Sequence, residues 1–341
     1  MASGSDEPYL SSFGCNTALK TGTTFGARIF MKLERRSGLT PEQFVTEHIV
    51  ANKPVIISDA MSGWEISTKW TPEYLEQKLG EEDVQIYDNL FDLQNVGSLH
   101  DYFAENFGRP ADHPSTEYVR WYTKFKEMDF AWADEAFSMI RENWCHPYFL
   151  PSSDFIVPFR SAPARINVVD ERFPYKGLFI SGAGARTRLH RDPWMSDAVL
   201  CQFYGRKSLT VYSPDQACYL LNGDEFVDPQ DPDLEKFPEF HKAIPVYEDV
   251  LEPGEVLYFA GGWFHDVTSL TDSISVTWNF MHSGRLSAFY EFVKAHPEDK
   301  QLEIVRFFLQ PWLGERKDTG AILELLERQM ESNTAFSAGT R

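Results

Sequence analysis

Between about residue 175 and residue 285 the chain alternates short apolar or aromatic segments with Gly, Pro, Asp and Ser turns. Segments at residues 175–181, 198–203, 208–212, 256–259 and 273–280 hold the β-branched and aromatic residues that strands favour. Their number and spacing predict a mainly β fold built on a closed antiparallel sheet, not on repeated βαβ units. In the last segment Thr277 and Asn279 alternate with Val276, Trp278 and Phe280, so one face is polar and the other apolar. Residues 222–243, rich in Pro and Asp, form an excursion between two strand groups.

The flanks have a different texture. Residues 1–25, rich in Ser, Thr and Gly, read as a flexible arm. Residues 26–174 read as a helical and strand region that supports the sheet at 175–285. Thr40 caps a predicted helix over residues 40–50, with Pro41 at its first position. A strand at 53–58, a helix after Thr71-Pro72, a strand at 84–87 and helices at 99–106 and 127–141 follow. Residues 286–341 form a helical tail, with helices near 286–296, 300–309 and 319–331 and a frayed last ten residues. Its apolar residues (Phe289, Tyr290, Phe292; Ile304, Phe307, Phe308, Leu309; Ile322, Leu323, Leu325, Leu326) either pack on their own sheet or join a second copy in a homodimer.

The 341 residues suffice for one large domain or two modest ones, and 43% apolar with 15% aromatic content fills a sizeable core. Fifty-one acidic against 32 basic residues give a formal charge of -19, which argues against a general phosphate-backbone groove and so against direct nucleic-acid binding. Cys15, Cys145, Cys201 and Cys218 are scattered, without paired metal-ligand spacing or a disulfide framework. The first residues lack the basic start and apolar run of a signal peptide, and no segment has membrane-spanning length. These features predict a soluble intracellular protein, cytoplasmic by preference, with the nucleus also open to it.

His190-Arg191-Asp192, with His265 seventy-three residues after Asp192, concentrates the candidate chemistry. Two imidazoles and a carboxylate hold a divalent iron on one face and leave the opposite face open, which suits oxygen activation. The spacing alone equally fits two structural histidines and a solvated carboxylate. The surroundings favour the metal. Thr187 stands three residues before His190, Lys207 follows a turn at Gly205, and Thr277 and Asn279 occupy the polar strand face. Polar groups inside a sheet core call for such a reason.

The stretch TRLHRDPWMSDAVLCQFYGRKSLTVYSPDQ, followed by LEPGEVLYFAGGWFHDVTSLTDSISVTWNF, resembles the Jumonji-C (JmjC) family of Fe(II)- and 2-oxoglutarate-dependent oxygenases. KPVIISDAMSGW adds to the likeness, which covers most of residues 40–285 and is greatest for the protein-hydroxylase branch. The resemblance implies a double-stranded β-helix, a cupin-like jelly roll, with helices packed outside it. It implies His190, Asp192 and His265 as iron ligands, Lys207 paired with the distal carboxylate of 2-oxoglutarate, and Thr187 bonded to it. Thr277 and Asn279 match later positions that line the cofactor site. The implied reaction is dioxygenase hydroxylation of a carbon on a protein or peptide side chain, with succinate and carbon dioxide as co-products. A small-molecule hydroxylase, an N-methyl demethylase and a non-catalytic cupin-like binding protein are the alternatives. The acidic surface suits a basic peptide.

Tyr118, Arg120, Trp121 and Tyr122 form an aromatic-basic cluster ahead of the sheet, and Trp194 follows the iron pair. Tyr118, Arg120, Tyr122 and Trp194 are candidate substrate contacts, with ordinary packing as the alternative. His146, His241 and His282 read as structural or exposed, and Gly182, Gly184, Gly261 and Gly262 as turn residues outside any phosphate-binding loop. Two departures from the family stand out. Ala260 replaces a proline common among relatives, and Gly261-Gly262 predicts a more flexible approach to His265. Ser196 and Asp197 lie where some peptide hydroxylases carry an amide side chain.

Overall fold

The computed structural model describes residues 30–123, 133–157, 176–316 and 318–338. The expected arm at 1–25, residue 175 and residues 127–132 of an expected helix lie outside the described residues. The N-terminal strands are β1 (Arg35–Arg36), β2 (Val55–Ile57), β3 (Asp83–Tyr87), β4 (Leu93–Ser98), β5 (Tyr118–Tyr122) and β6 (Phe155–Val157). Then come β7 (Lys176–Ser181), β8 (Arg186–His190), β9 (Asp197–Tyr204), β10 (Lys207–Tyr212), β11 (Leu221–Asn222) and β12 (Glu225–Phe226). The last are β13 (Tyr247–Leu251), β14 (Val256–Phe259), β15 (Phe264–Ser269) and β16 (Ser273–His282).

A ten-stranded sheet runs β1-β2-β14-β9-β16-β7-β5-β3-β4, with β6 also on β16, and a four-stranded sheet runs β13-β10-β15-β8. Apart from β1 with β2, every pairing within these sheets is antiparallel. The single closed sheet expected from the sequence is therefore divided: among the described residues no hydrogen-bonded ladder joins the two sheets. Side chains join them instead. Leu209, Val211, Leu251 and Val267 of the smaller sheet bury against Ile56, Ala198, Leu200, Leu257 and Phe259 of the larger.

Tight turns carry the chain across. From β7 to β16 it passes to the other sheet at every connection except the long one between β10 and β13, where the β11–β12 hairpin lies. Gly205, between β9 and β10, has φ +70°, and a Cβ there would sit 1.8 Å from the Asp272 carbonyl oxygen. No other residue fits that crossing.

The alternation read from the sequence appears on β16. Ile274, Val276, Trp278 and Phe280 point into the main core on the outer face of the larger sheet, and Thr277 and Asn279 point into a cavity between the sheets. Helices cover the outer face. Thr40 accepts from the Gln43 N–H while Gln43 reaches back to the Thr40 N–H, which starts the helix at Pro41; its continuation through Val50 is a π-helix. Pro72–Leu79, capped by Thr71, and Leu99–Asn106, capped by Ser98, lie where the sequence puts them.

The tail forms helices Leu286–Ala295, Leu302–Leu313 and Thr319–Ala338. The final helix runs on to Ala338, into the stretch expected to fray, with no Gly or Pro before Gly339 to interrupt it; residues 339–341 lie outside the described residues. Phe289, Phe292, Phe308, Leu309, Ile322, Leu325 and Leu326 bury together with Ile156, Val157 and Met281 of the sheet edge, within one chain. Phe307 is left half-exposed.

The tail is tied to the sheets by a buried ion pair. Arg285 donates to Asp197 at 2.7 Å, and the same carboxylate oxygen accepts from the Tyr258 hydroxyl and the Gly261 N–H, each at 2.9 Å. Removing one partner strands the other charge, so Arg285→Ala is expected to cost about 3–5 kcal/mol. Urea denaturation of the full chain measures this; a change below about 1 kcal/mol, ordinary for a surface substitution, would show that the pair is dispensable.

Candidate metal centre and active site

β8 and β15 lie side by side with His190 directly opposite His265. One pair further along, Thr187 faces Val267, so three steps on β8 match two on β15. That bulge changes the parity of β8. Thr187 and His190, an odd number of residues apart, therefore both face the cavity, as do His265 and Val267. Leu189, between them, turns outward to pack with Tyr212, Val227 and Phe264.

The side-chain donor atoms of His190, Asp192 and His265 all lie within 4.8 Å of one another. The His190 Nδ1–H donates to the Arg188 carbonyl at 2.8 Å and the His265 Nδ1–H to the Trp263 carbonyl at 3.2 Å. Both rings are thereby oriented with Nε2 free, the arrangement metal-bound histidines use. The His265 ring stacks on Phe259, centroids 4.0 Å apart, and Phe91 meets His190 edge-on at 5.1 Å. Burial pushes His190 down to about 3 and His265 to about 4, so both stay neutral near pH 7. Burial raises the Asp192 carboxyl, opposed by His190, by a hydrogen bond from Asn279 and by Arg120. Two neutral imidazoles, one carboxylate and an adjoining void suit a first-row divalent ion with open positions, iron(II) foremost.

That void has a volume of about 900 Å³. Lys207 enters it from β10, almost fully buried, and donates to Ser275 Oγ at 3.0 Å. No carboxylate among the described residues lies within ion-pair distance of it, and burial lowers its ammonium to about 8. Asn279 donates to Ser196 Oγ at 3.1 Å, and Thr277 donates to the Val199 carbonyl at 3.0 Å.

Residues 41–285 match the family profile described as a cupin-like domain. The chain belongs to the cupin-like domain family. It is similar to the tRNA wybutosine-synthesizing protein 5 of Gallus gallus, 29% identical over 248 residues, or 68% of this chain and 71% of that protein. It is 25% identical over 281 residues to the arginine-specific demethylase JMJ22 of Arabidopsis thaliana, which is 79% of this chain but 50% of that protein. With the 2-oxoglutarate and iron-dependent oxygenase JMJD4 of Gallus gallus it shares 23% identity over 324 residues, 86% of this chain and 72% of that one. The relatives of this cupin-like domain thus span several reactions and do not single out the protein-hydroxylase branch.

Within the cupin-like domain the candidate residues separate by place. Arg120, Tyr122, Thr187, Lys207, Thr277 and Asn279 line the same cavity as His190, Asp192 and His265. The Arg120 guanidinium lies 4.5 Å from the Phe91 centroid and 5.6 Å from that of Tyr122. Tyr118 is buried beside Thr187, and burial pushes its phenol up to about 12. Trp194 lies apart from the cavity lining, buried in the tail's core with Phe289 at 6.3 Å. Sequence reasoning passed over Phe91, whose ring reaches the ligand from a turn at φ +68°. It also passed over Arg191, Asp224, Glu298 and Asp299 at the cavity wall. Among the described residues no helix is long and apolar enough to cross a membrane.

The Gly261-Gly262 approach to His265 is closely packed. A Cβ on Gly261 would come 2.1 Å from Arg285 Nη1 and 2.3 Å from the Met195 carbonyl oxygen. Met195 and Trp194 themselves hold left-handed angles, at φ 57° and 44°, each costing about 1–3 kcal/mol. Gly261→Ala must therefore shift backbone close to Asp192 on one side and His265 on the other, both members of the candidate metal cluster. We expect a loss of about 1–3 kcal/mol of stability together with weakened metal binding. Thermal melting and metal titration of the variant check both, and unchanged values would mean that this packing is slack.

Proposed function

We propose that the protein is an iron(II)- and 2-oxoglutarate-dependent oxygenase that hydroxylates a carbon of a protein or peptide side chain. The observation that carries this reading is Lys207: a buried ammonium without a carboxylate partner among the described residues, in the cavity that holds the His-Asp-His cluster. A buried cation at that position calls for an anionic ligand. His190, Asp192 and His265 would hold the iron. Lys207 would anchor the distal carboxylate of 2-oxoglutarate, with Thr187 and the buried Tyr118 hydroxyl donating to it. With iron and 2-oxoglutarate bound, the site would use dioxygen as the oxidant, one oxygen atom going to the substrate C–H carbon and the other to 2-oxoglutarate, which leaves as succinate and carbon dioxide. Phe91 and Phe259 shield the imidazoles from water, and Asn279 steadies Asp192. In this reading the two face-packed sheets are the halves of a double-stranded β-helix.

For the substrate, the outer cavity wall carries Asp224, Glu298 and Asp299 beside Arg191 and Lys300, and the chain as a whole carries -19. Such a wall favours a basic side chain and opposes a nucleic-acid backbone. Relatives named as arginine- and lysine-specific demethylases act on basic residues by name. Hydroxylation at an N-methyl carbon would release formaldehyde, the second outcome of the same chemistry. Incubating the iron-loaded protein with 2-oxoglutarate and native peptides or digested tRNA, followed by mass spectrometry, separates these. A peptide gain of 16 Da supports the reading, methyl loss with formaldehyde redirects it to demethylation, and a modified nucleoside overturns it.

Anaerobic titration is expected to load one Fe(II) on the wild type, with severe loss in His190→Ala and Asp192→Ala; wild-type affinity in both would reject the ligand assignment. Lys207→Ala should raise the 2-oxoglutarate requirement about ten- to a hundredfold, the worth of a hydrogen bond to a charged group, while metal loading stays intact. Because burial lowers Lys207 to about 8, the ammonium is present below that pH and lost above it. Affinity for 2-oxoglutarate should then fall about tenfold per pH unit above pH 8, and Lys207→Arg should flatten the profile. A wild-type affinity constant up to high pH would count against the anchor.

A further inference from the structure

Two bulky residues in succession hold left-handed backbone angles directly after Asp192-Pro193: Trp194 at φ 44°, ψ 34° and Met195 at φ 57°. Neither residue adopts this conformation by preference, so its surroundings must impose it. One support comes from the opposite end of the chain. The side-chain carbonyl of Gln301 accepts the Trp194 N–H at 2.8 Å, across 107 residues of sequence. Gln301 stands immediately before the helix Leu302–Leu313, whose Leu302, Val305 and Leu309 are buried in the same cluster as the Trp194 ring. The turn is thus held by its indole in the tail's core and by its backbone N–H on Gln301. Pro193, with its ring-fixed φ, is the only residue between this turn and Asp192. A shift of the turn therefore passes to Asp192 with little absorbed on the way.

We propose that Gln301 is a positioning residue for the metal site: it pins the strained Trp194-Met195 turn so that the Asp192 carboxylate meets His190 and His265. This rests on the reading of those three residues as metal ligands. Under it, the C-terminal helices are part of the metal site's support and not only a cover for the sheet edge. Gln301 is itself exposed, so replacing it removes no core volume. What it removes is one of the two supports, leaving the indole alone to hold the turn against relaxation towards ordinary angles.

The test is Mn(II) binding to the metal-stripped full chain, followed by calorimetry, with thermal melting measured on the same samples. Gln301→Ala and Gln301→Met, which both lack a strong acceptor, are expected to bind Mn(II) about ten- to a hundredfold more weakly, the range for partners that orient metal ligands. Gln301→Glu keeps an acceptor oxygen and is expected to stay close to wild type. Phe307→Ala, on the same helix but half-exposed and away from the turn, is expected to leave Mn(II) affinity unchanged whatever it does to melting. Wild-type affinity in both Gln301→Ala and Gln301→Met, or a loss in Gln301→Glu as large as in Gln301→Ala, would overturn the proposal. Loss in all variants in proportion to their melting temperatures, Phe307→Ala included, would also overturn it. Failure of the wild type to bind Mn(II) would instead overturn the ligand assignment on which it rests.

Discussion

The buried carboxylate of Asp197 joins three parts of the chain that are far apart in sequence. It opens β9 five residues after Asp192, takes the Gly261 N–H four residues before His265, and meets Arg285 at the entry to the tail. Burying both charges is costly, and the cost is offset only because one oxygen gathers three well-formed donors. The return is geometric. The segments that carry Asp192 and His265, already joined through the β8–β15 ladder of the smaller sheet, are thereby also tied to the start of β9 in the larger.

A second polar network braces the opposite side of the same strands. Arg186 on β8 pairs with Asp266 on β15 and with Asp228 from the excursion, and Arg188 also reaches Asp228. β8 and β15 thus carry charged residues on the outward face, beside the apolar Leu189 and Phe264. This brace holds the long excursion against the strands that carry the ligands, and it places the β11–β12 hairpin, with Asp224 at its tip, on the cavity wall.

The same polarity explains where the sequence was legible. Strands rich in β-branched and aromatic residues, such as β9, β10, β14 and β16, were found almost to the residue, β10 and β16 by their alternation and β9 and β14 as apolar runs buried on both faces. So were the helix starts at Thr40 and Thr71, whose caps are local chemistry. β15 was missed as a strand: in Phe-His-Asp-Val-Thr-Ser one face mixes His265 with Val267 and the other Phe264 with the ion-paired Asp266, leaving no apolar rhythm. β4, largely exposed at the sheet edge, lacked the signal for the opposite reason. In the site, His190, Asp192, His265, Thr187 and Lys207 were legible by motif and meet in one cavity. Phe91, Asp224, Glu298 and Asp299 were not, because their place depends on loops brought in from elsewhere. Trp194 was misleading in the other direction. Closeness in sequence to Asp192 suggested the cavity mouth, yet the left-handed turn sends its ring into the tail's core.

The bulge between Thr187 and His190 sets an arithmetic on this stretch of chain. Strict pleating would put residues three apart on opposite faces, and only the extra residue in β8 brings the candidate cofactor contact and the ligand to the same side. Spacing here thus matters more than composition. Replacing Arg188 or Leu189 changes packing, whereas inserting or deleting one residue between Thr187 and His190 would put these two side chains on opposite faces of β8.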